Sequence, residues 1–293
     1  MSSAGLRAVA LKQLVRGATL ARRIGVGRPV DAFGGLLLER RAAKGRIGSG
    51  EEVVLEALLH ELGIDKGWVV DIAACDGVTN SNSLALYSAG WPGLALEGDP
   101  RSFELLARVH RRSPDVRLAR LWVTPGTVVQ ILRAYSVPED FAVLSLDIDG
   151  YDHFVLAALL DEYRPAVICA EINEIFPPPI KFTVRYDPNY VWAEDHFFGQ
   201  SLSKLYELGE AHGYSIAELY YNNAFLVRGE VTDRVALTPE TAYATGYLER
   251  PDRKERFPWN GDVEEIHSLD PEGKIAFIES YFAKYSGRYE LSR

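Results

Sequence analysis

Residues 68–97 read WVVDIAACDGVTNSNSLALYSAGWPGLALE, and how this stretch is divided decides the fold. It opens with a β-branched apolar run, 68–72, carrying Asp71 near its end. A loop of small residues follows, with Gly77 free to take a positive φ. Residues 81–89 have helical spacing and stop at Gly90. A second apolar run, 93–97, ends in Glu97. Strand, helix and strand at this spacing make one crossover unit, which joins parallel strands. Near-continuous apolar strands are those buried on both faces, as in a sheet covered by helices.

The same rhythm extends outward in both directions. Upstream, 51–62 reads as a helix with one broad apolar stripe, capped by Gly63. Downstream, Asp99 and Pro100 open a helix over 101–111 as N-cap and first helical residue. Strands are predicted over 116–121, 141–147 and 166–171, with helices over 125–135 and 152–160 between them. Then the rhythm breaks. Residues 172–199 are crowded with prolines and aromatics. A helix over 201–212 and a hairpin of 215–221 with 224–228 follow, and Asn222 and Asn223 supply the turn. The expectation is a doubly wound α/β fold: a mostly parallel seven-stranded sheet with a terminal antiparallel hairpin. The chain divides into a basic helical arm (1–49), the sheet domain (50–230, with a covering insertion at 174–199) and a C-terminal extension (231–293). That extension is expected to be an irregular tail packed on the domain, with a closing helix at 273–285.

Net charge is −9, which argues against generic nucleic-acid binding. The charge is uneven. Residues 1–50 carry ten Lys/Arg against Asp31 and Glu39, giving +8 and leaving −17 for the rest. The arm is therefore expected to pair with the acidic body of its own or a neighbouring subunit, making a homo-oligomer. Two cysteines, Cys75 and Cys169, form no disulfide framework and no metal spacing, which fits a cytoplasmic setting. No apolar run approaches the roughly 18 residues of a transmembrane segment.

Ligands of open α/β sheets bind at the carboxyl ends of the strands. Asp71 and Glu97 stand at two such ends, and Glu97 is placed to accept a pair of ribose hydroxyls. The loop between them has one glycine in 73–79, so it fails the GxGxxG dinucleotide fingerprint, and a nucleotide-dependent oxidoreductase is disfavoured. A cofactor without phosphates would accept such a loop. The run VDIAACDGVTNSN (70–82) resembles the first motif of FkbM-like S-adenosylmethionine (SAM)-dependent methyltransferases. Further similarities follow in order: GWPGLALEGD (90–99), LSLDIDGYD (144–152), AEIN (170–173), FGQSL (198–202) and NNAFLV (222–227). The resemblance covers about 50–230 and departs at Ala73, where the family usually has Gly. It implies that Asp71, Ala73, Asp76 and Gly77 line the methionine end of SAM. It implies further that Glu97 holds the ribose with Asp99 beside it, and that Asn82 either bonds the cofactor or caps the next helix.

Asp147, Asp149 and Asp152 crowd the end of the fourth strand, and Glu171 and Asn173 end the fifth. Asp147 should face the reacting methyl. Asp147, Glu171 and Asn173 form a partial oxygen set for Mg²⁺ or another divalent cation, which would orient and acidify a substrate hydroxyl. The alternative is that Asp147 contacts SAM while Asp149 and Asp152 cap a helix. Without a metal a general base is needed, and His153 and His196 are the candidates. The aromatic insertion would wall the substrate. The expected activity is O-methylation of a hydroxylated small molecule or sugar. The alternative is a non-catalytic scaffold that keeps the fold.

Overall fold

The computed structural model describes residues 50–293, so the basic arm lies outside the described residues. Seven strands form one sheet: β1 Val69–Ile72, β2 Gly93–Glu97, β3 Val116–Arg120, β4 Val143–Leu146, β5 Val167–Glu171, β7 Tyr214–Tyr220 and β8 Asn223–Arg228. Their order is β3-β2-β1-β4-β5-β8-β7. β1 pairs in parallel with both β2 and β4, so the order reverses at β1, the switch point at which open sheets of this kind bind ligands. β5 is parallel to β4, whereas β8 runs antiparallel to both β5 and β7. This is the α/β fold that the sequence predicts, hairpin included.

Helices α1 Glu51–Glu61, α2 Leu84–Ser88, α3 Pro100–Val109, α4 Val128–Ala134, α5 Asp152–Leu160 and α6 Leu202–Ala211 accompany the sheet. Its two faces feed separate cores. Val70, Ile72, Leu94, Leu96, Leu144 and Ile168 point one way. Val69, Ala95, Val143, Val167 and Cys169 point the other. That division is the period-two alternation of a strand, and no polar face is left for water. Each valine, leucine or isoleucine among them contributes about 1.5–3 kcal/mol by burial.

Two helices begin later than predicted. α2 starts at Leu84 because the Ser81 hydroxyl accepts the Leu84 N–H, holding 81–83 in a turn. α4 starts at Val128 because the Thr124 and Thr127 hydroxyls close the preceding turn, 2.9 Å apart. The region predicted to be irregular also contains a strand. β6 Lys181–Val184 pairs antiparallel with β9 Tyr289–Ser292 at the far end of the chain. The stack of Phe182 on Phe176 (4.0 Å between ring centroids) and its contact with Tyr289 belong to a third core shared with the C-terminal segment. That segment carries short helices α7 Pro239–Tyr243 and α8 Arg253–Arg256 with a wide helical turn, Ala244–Leu248, between them. Its longer helix, α9 Pro271–Tyr281, is capped by Asp270. Among the described residues no helix is long and apolar enough to cross a membrane.

Candidate active site

The loop after β1 is shaped by its own side chains. Asp76 accepts from the N–H groups of Val78 (2.8 Å) and Thr79 (2.7 Å) and from the Thr79 hydroxyl (2.8 Å). Gly77 has φ 74, and a Cβ there would lie 2.6 Å from Leu106 of α3, so the loop presses directly on that helix. Ala73 also has a positive φ, 64, a conformation that suits the glycine expected there better than alanine.

Glu97 ties this loop to β2. One carboxylate oxygen accepts the Cys75 N–H (2.8 Å) and the other accepts the Asp99 N–H (2.6 Å). A carboxylate has about four acceptor positions, so room remains for hydroxyl donors. Asp99 is occupied as the N-cap of α3, accepting from Arg101 and Ser102. Asp71 is buried and accepts from the Ser83 hydroxyl at 2.5 Å; burial pushes its carboxyl up to about 6. It therefore braces the loop from beneath. Asn82 is buried, and its side-chain oxygen has no hydrogen-bond partner among the described residues. Such an acceptor is costly unless a ligand donor meets it.

Sequence reasoning missed Trp122. It lies just beyond β3, is 69% exposed, and its indole covers Gly98, where a Cβ would stand 2.3 Å from the ring. A large exposed aromatic at a strand's carboxyl end, beside Glu97, is the signal that could have found it.

The second half of the site is an acidic cluster. Asp147, Asp149 and Glu171 each bring one carboxylate oxygen within 4.8 Å of the others. One oxygen of Asp147 is buried without a hydrogen-bond partner among the described residues. Burial, then the neighbouring Asp152 charge, lifts Asp147 to about 6. Burial, then Asp147 and Asp152, lifts Asp149 to about 8. Glu171 is driven well above the carboxylate range by burial, then by Asp147 and Asp149. Carboxylates this close cannot all be charged without protons or a cation between them. Asp149 reaches the cluster through a backbone turn with φ 56. Asp152 holds that turn by accepting the N–H groups of Ile148 (2.7 Å) and Gly150 (3.0 Å).

Asn173 does not join the cluster. Its amide donates to the carbonyls of His196 (2.8 Å) and Phe198 (2.9 Å), fastening the insertion to the end of β5. The third oxygen is supplied by Asp149 instead. Neither histidine is brought to the cluster. His153 meets Gln200 at 3.1 Å, and burial holds its pKa below the usual value. His196 meets Asp262 of the C-terminal segment at 3.1 Å. Asn222, read from sequence only as a turn residue, donates to Glu171 at 2.8 Å. The insertion covers the Asp149 turn: Tyr190 lies against Gly150 and donates to the Phe197 carbonyl at 2.6 Å.

No family model matches this chain, and no curated protein matches it. Among solved structures it is similar to a protein described as an O-methyltransferase from Klebsiella pneumoniae (14% identity, 72% of this chain and 94% of that one, TM-score 0.42). It is similar also to the N-terminal domain of EvdMO1 with S-adenosylhomocysteine (SAH) bound (13% identity, 62% and 82% covered, TM-score 0.40). A third similar structure is described as an RNA methyltransferase from Pyrococcus horikoshii (11% identity, 60% and 83% covered, TM-score 0.37).

Proposed function

We propose that this protein is a SAM-dependent methyltransferase, FkbM-like, that O-methylates a hydroxylated small molecule or sugar with the help of a divalent cation. The observation that carries the reading is Glu97. Its carboxylate spans from the end of β2 to the Cys75 N–H and so makes one cradle of the two strand ends at the switch point.

SAM fits this cradle by the chemistry of its donors and acceptors. Glu97 has acceptor capacity left for ribose hydroxyls, the buried Asn82 oxygen lacks a donor, and Trp122 offers an aromatic face beside Gly98. Bound there, SAM supplies an electrophilic methyl group. A hard cation fits the second half, because three carboxylates and an orphaned Asp147 oxygen form an all-oxygen donor set of the kind Mg²⁺ or Ca²⁺ takes. Asp147, Asp149 and Glu171 would hold it, and it would lower the pKa of a substrate hydroxyl.

The chain's own residues do the rest. Asp71, braced by Ser83, fixes the loop after β1. Asn222 orients Glu171. Asp149, carried on its left-handed turn, completes that oxygen set, and a hydroxyl acidified by the cation would enter the reaction already ionised. Tyr190 and the insertion keep water from the turn that carries Asp149.

The test is photolabelling of the full chain with radiolabelled SAM. Labelling that SAH competes away and Glu97→Ala abolishes supports the reading; labelling indifferent to both refutes it. A second reading, a non-catalytic scaffold, is favoured by one observation: Ala73 holds a conformation better suited to glycine in the middle of the loop. Transfer of methyl label to any acceptor in a panel of hydroxylated compounds would dismiss it.

A further inference from the structure

The hairpin turn that holds Glu171 is itself gripped by arginines. Tyr221 and Asn222 form the turn between β7 and β8, and the Tyr221 N–H donates to the Gly246 carbonyl of the C-terminal segment (2.9 Å). That segment then returns past the turn. The guanidinium carbons of Arg250 and Arg256 each lie 4.2 Å from the centroid of the Tyr221 ring, and Arg250 also lies 4.5 Å from that of Tyr220. Two cations 4.2 Å from one centroid are at most about 8 Å apart and repel one another.

Their surroundings do not balance them equally. Arg253, between them in sequence, is fully engaged by both oxygens of Glu264 (2.9 and 2.6 Å). Arg256 reaches Glu51 of α1 at 4.0 Å. Arg250 has no carboxylate within ion-pair distance among the described residues and is only partly buried. Of the two acids beside it in sequence, Glu249 forms no ion pair with it among the described residues, and Asp252 accepts the Tyr221 hydroxyl. The pair and the acidic cluster share one hairpin, since Asn222, next in the chain to Tyr221, donates to Glu171.

We infer that Arg250 and Arg256 form an anion subsite, which holds a phosphate or carboxylate group of the acceptor while its hydroxyl end lies at the acidic cluster. The cluster repels an anion and the arginine pair attracts one, so a substrate bearing both groups enters in one orientation. Guanidinium groups pre-ordered on aromatic faces lose little freedom on binding such a group. This inference names the substrate class and rests on the methyltransferase reading.

The test is calorimetric titration of the full-length, metal-free, SAH-saturated protein with inorganic phosphate and, separately, malonate. At least one anion should bind. Arg250→Gln and Arg256→Gln should each weaken that binding about tenfold or more, the loss expected for a charge-assisted hydrogen bond. Arg250→Lys should weaken it less. The anion should also protect Arg250 from phenylglyoxal, read by peptide mass spectrometry on the unmutated chain. Phosphate binding alone indicates a phosphorylated acceptor; malonate binding alone indicates a carboxylic acid. Binding of neither anion, equal binding in both Gln variants, or no protection of Arg250 overturns the inference. SAH affinity is measured first: its absence would refute the methyltransferase reading, a result distinct from a failure of anion binding with SAH in place.

Discussion

The side-chain amide of Asn222 donates to the carboxylate of Glu171 at 2.8 Å, so the hairpin turn fixes one of the three acids that converge above the sheet. The same turn returns the backbone to β5, where the Ile172 N–H donates to the Asn222 carbonyl at 2.7 Å.

Removing that amide should loosen Glu171 without unfolding the sheet. Asn222→Ala is expected to weaken Mn²⁺ binding about tenfold, the usual scale for a residue that orients a metal ligand. Electron paramagnetic resonance titration reads the free ion. An unchanged affinity would mean that Glu171 takes no part in binding.

The acidic cluster also sets a pH dependence. Asp147 (about 6), Asp149 (about 8) and Glu171 all hold their protons to higher pH in the folded chain than in the unfolded one. Between pH 5 and 8 the folded state therefore binds more protons, and its stability falls as pH rises. Below the ordinary carboxylate range both states are protonated and the effect vanishes. Urea midpoints of metal-free protein should fall from pH 5.5 to pH 8, and Mg²⁺ should restore stability most at pH 8. A Mg²⁺ effect equal at both values would contradict a cation at these carboxylates.

Two loop positions should respond in opposite directions. Ala73→Gly relieves a left-handed alanine costing about 1–2 kcal/mol, partly offset by the freer unfolded chain. A gain of about 0.5–1 kcal/mol is expected. Gly77→Ala adds a Cβ at positive φ and 2.6 Å from Leu106, and a loss of about 2 kcal/mol or more is expected. Chemical denaturation of the two variants checks both signs.

Residues 1–50 carry +8 against an acidic remainder. A chain lacking residues 1–45 should elute as a smaller species and keep its SAH affinity. An unchanged elution volume would remove the arm from assembly.

Much of this was legible in the sequence, for identifiable reasons. Strands buried on both faces must be apolar throughout, so β2, β4 and β5 stand out as runs. The positions of Glu97, Asp147 and Glu171 at or just beyond the carboxyl ends of their strands could be read from spacing alone. β6 and β9 could not be read, because each is four residues long and their partners lie about a hundred residues apart in sequence. Asp149 and Asn173 exchanged expectations for a tertiary reason. The left-handed turn at Asp149 swings its carboxylate inward, while Asn173 is taken by two carbonyls of the insertion. His153 and His196 were drawn away by Gln200 and Asp262, partners 47 and 66 positions distant. Arg250 and Arg256 lie in a segment with no periodic pattern, and only its return past the hairpin gives them a place.

In the proposed function, the cradle between the ends of β1 and β2 holds SAM. The most direct test is calorimetric titration of SAH into the unmutated chain, Glu97→Ala and Trp122→Ala. One site per chain is expected, with binding abolished by Glu97→Ala and affinity reduced about tenfold by Trp122→Ala through loss of a stacking face. No heat of binding in the unmutated chain, or equal affinity in all three, would contradict it.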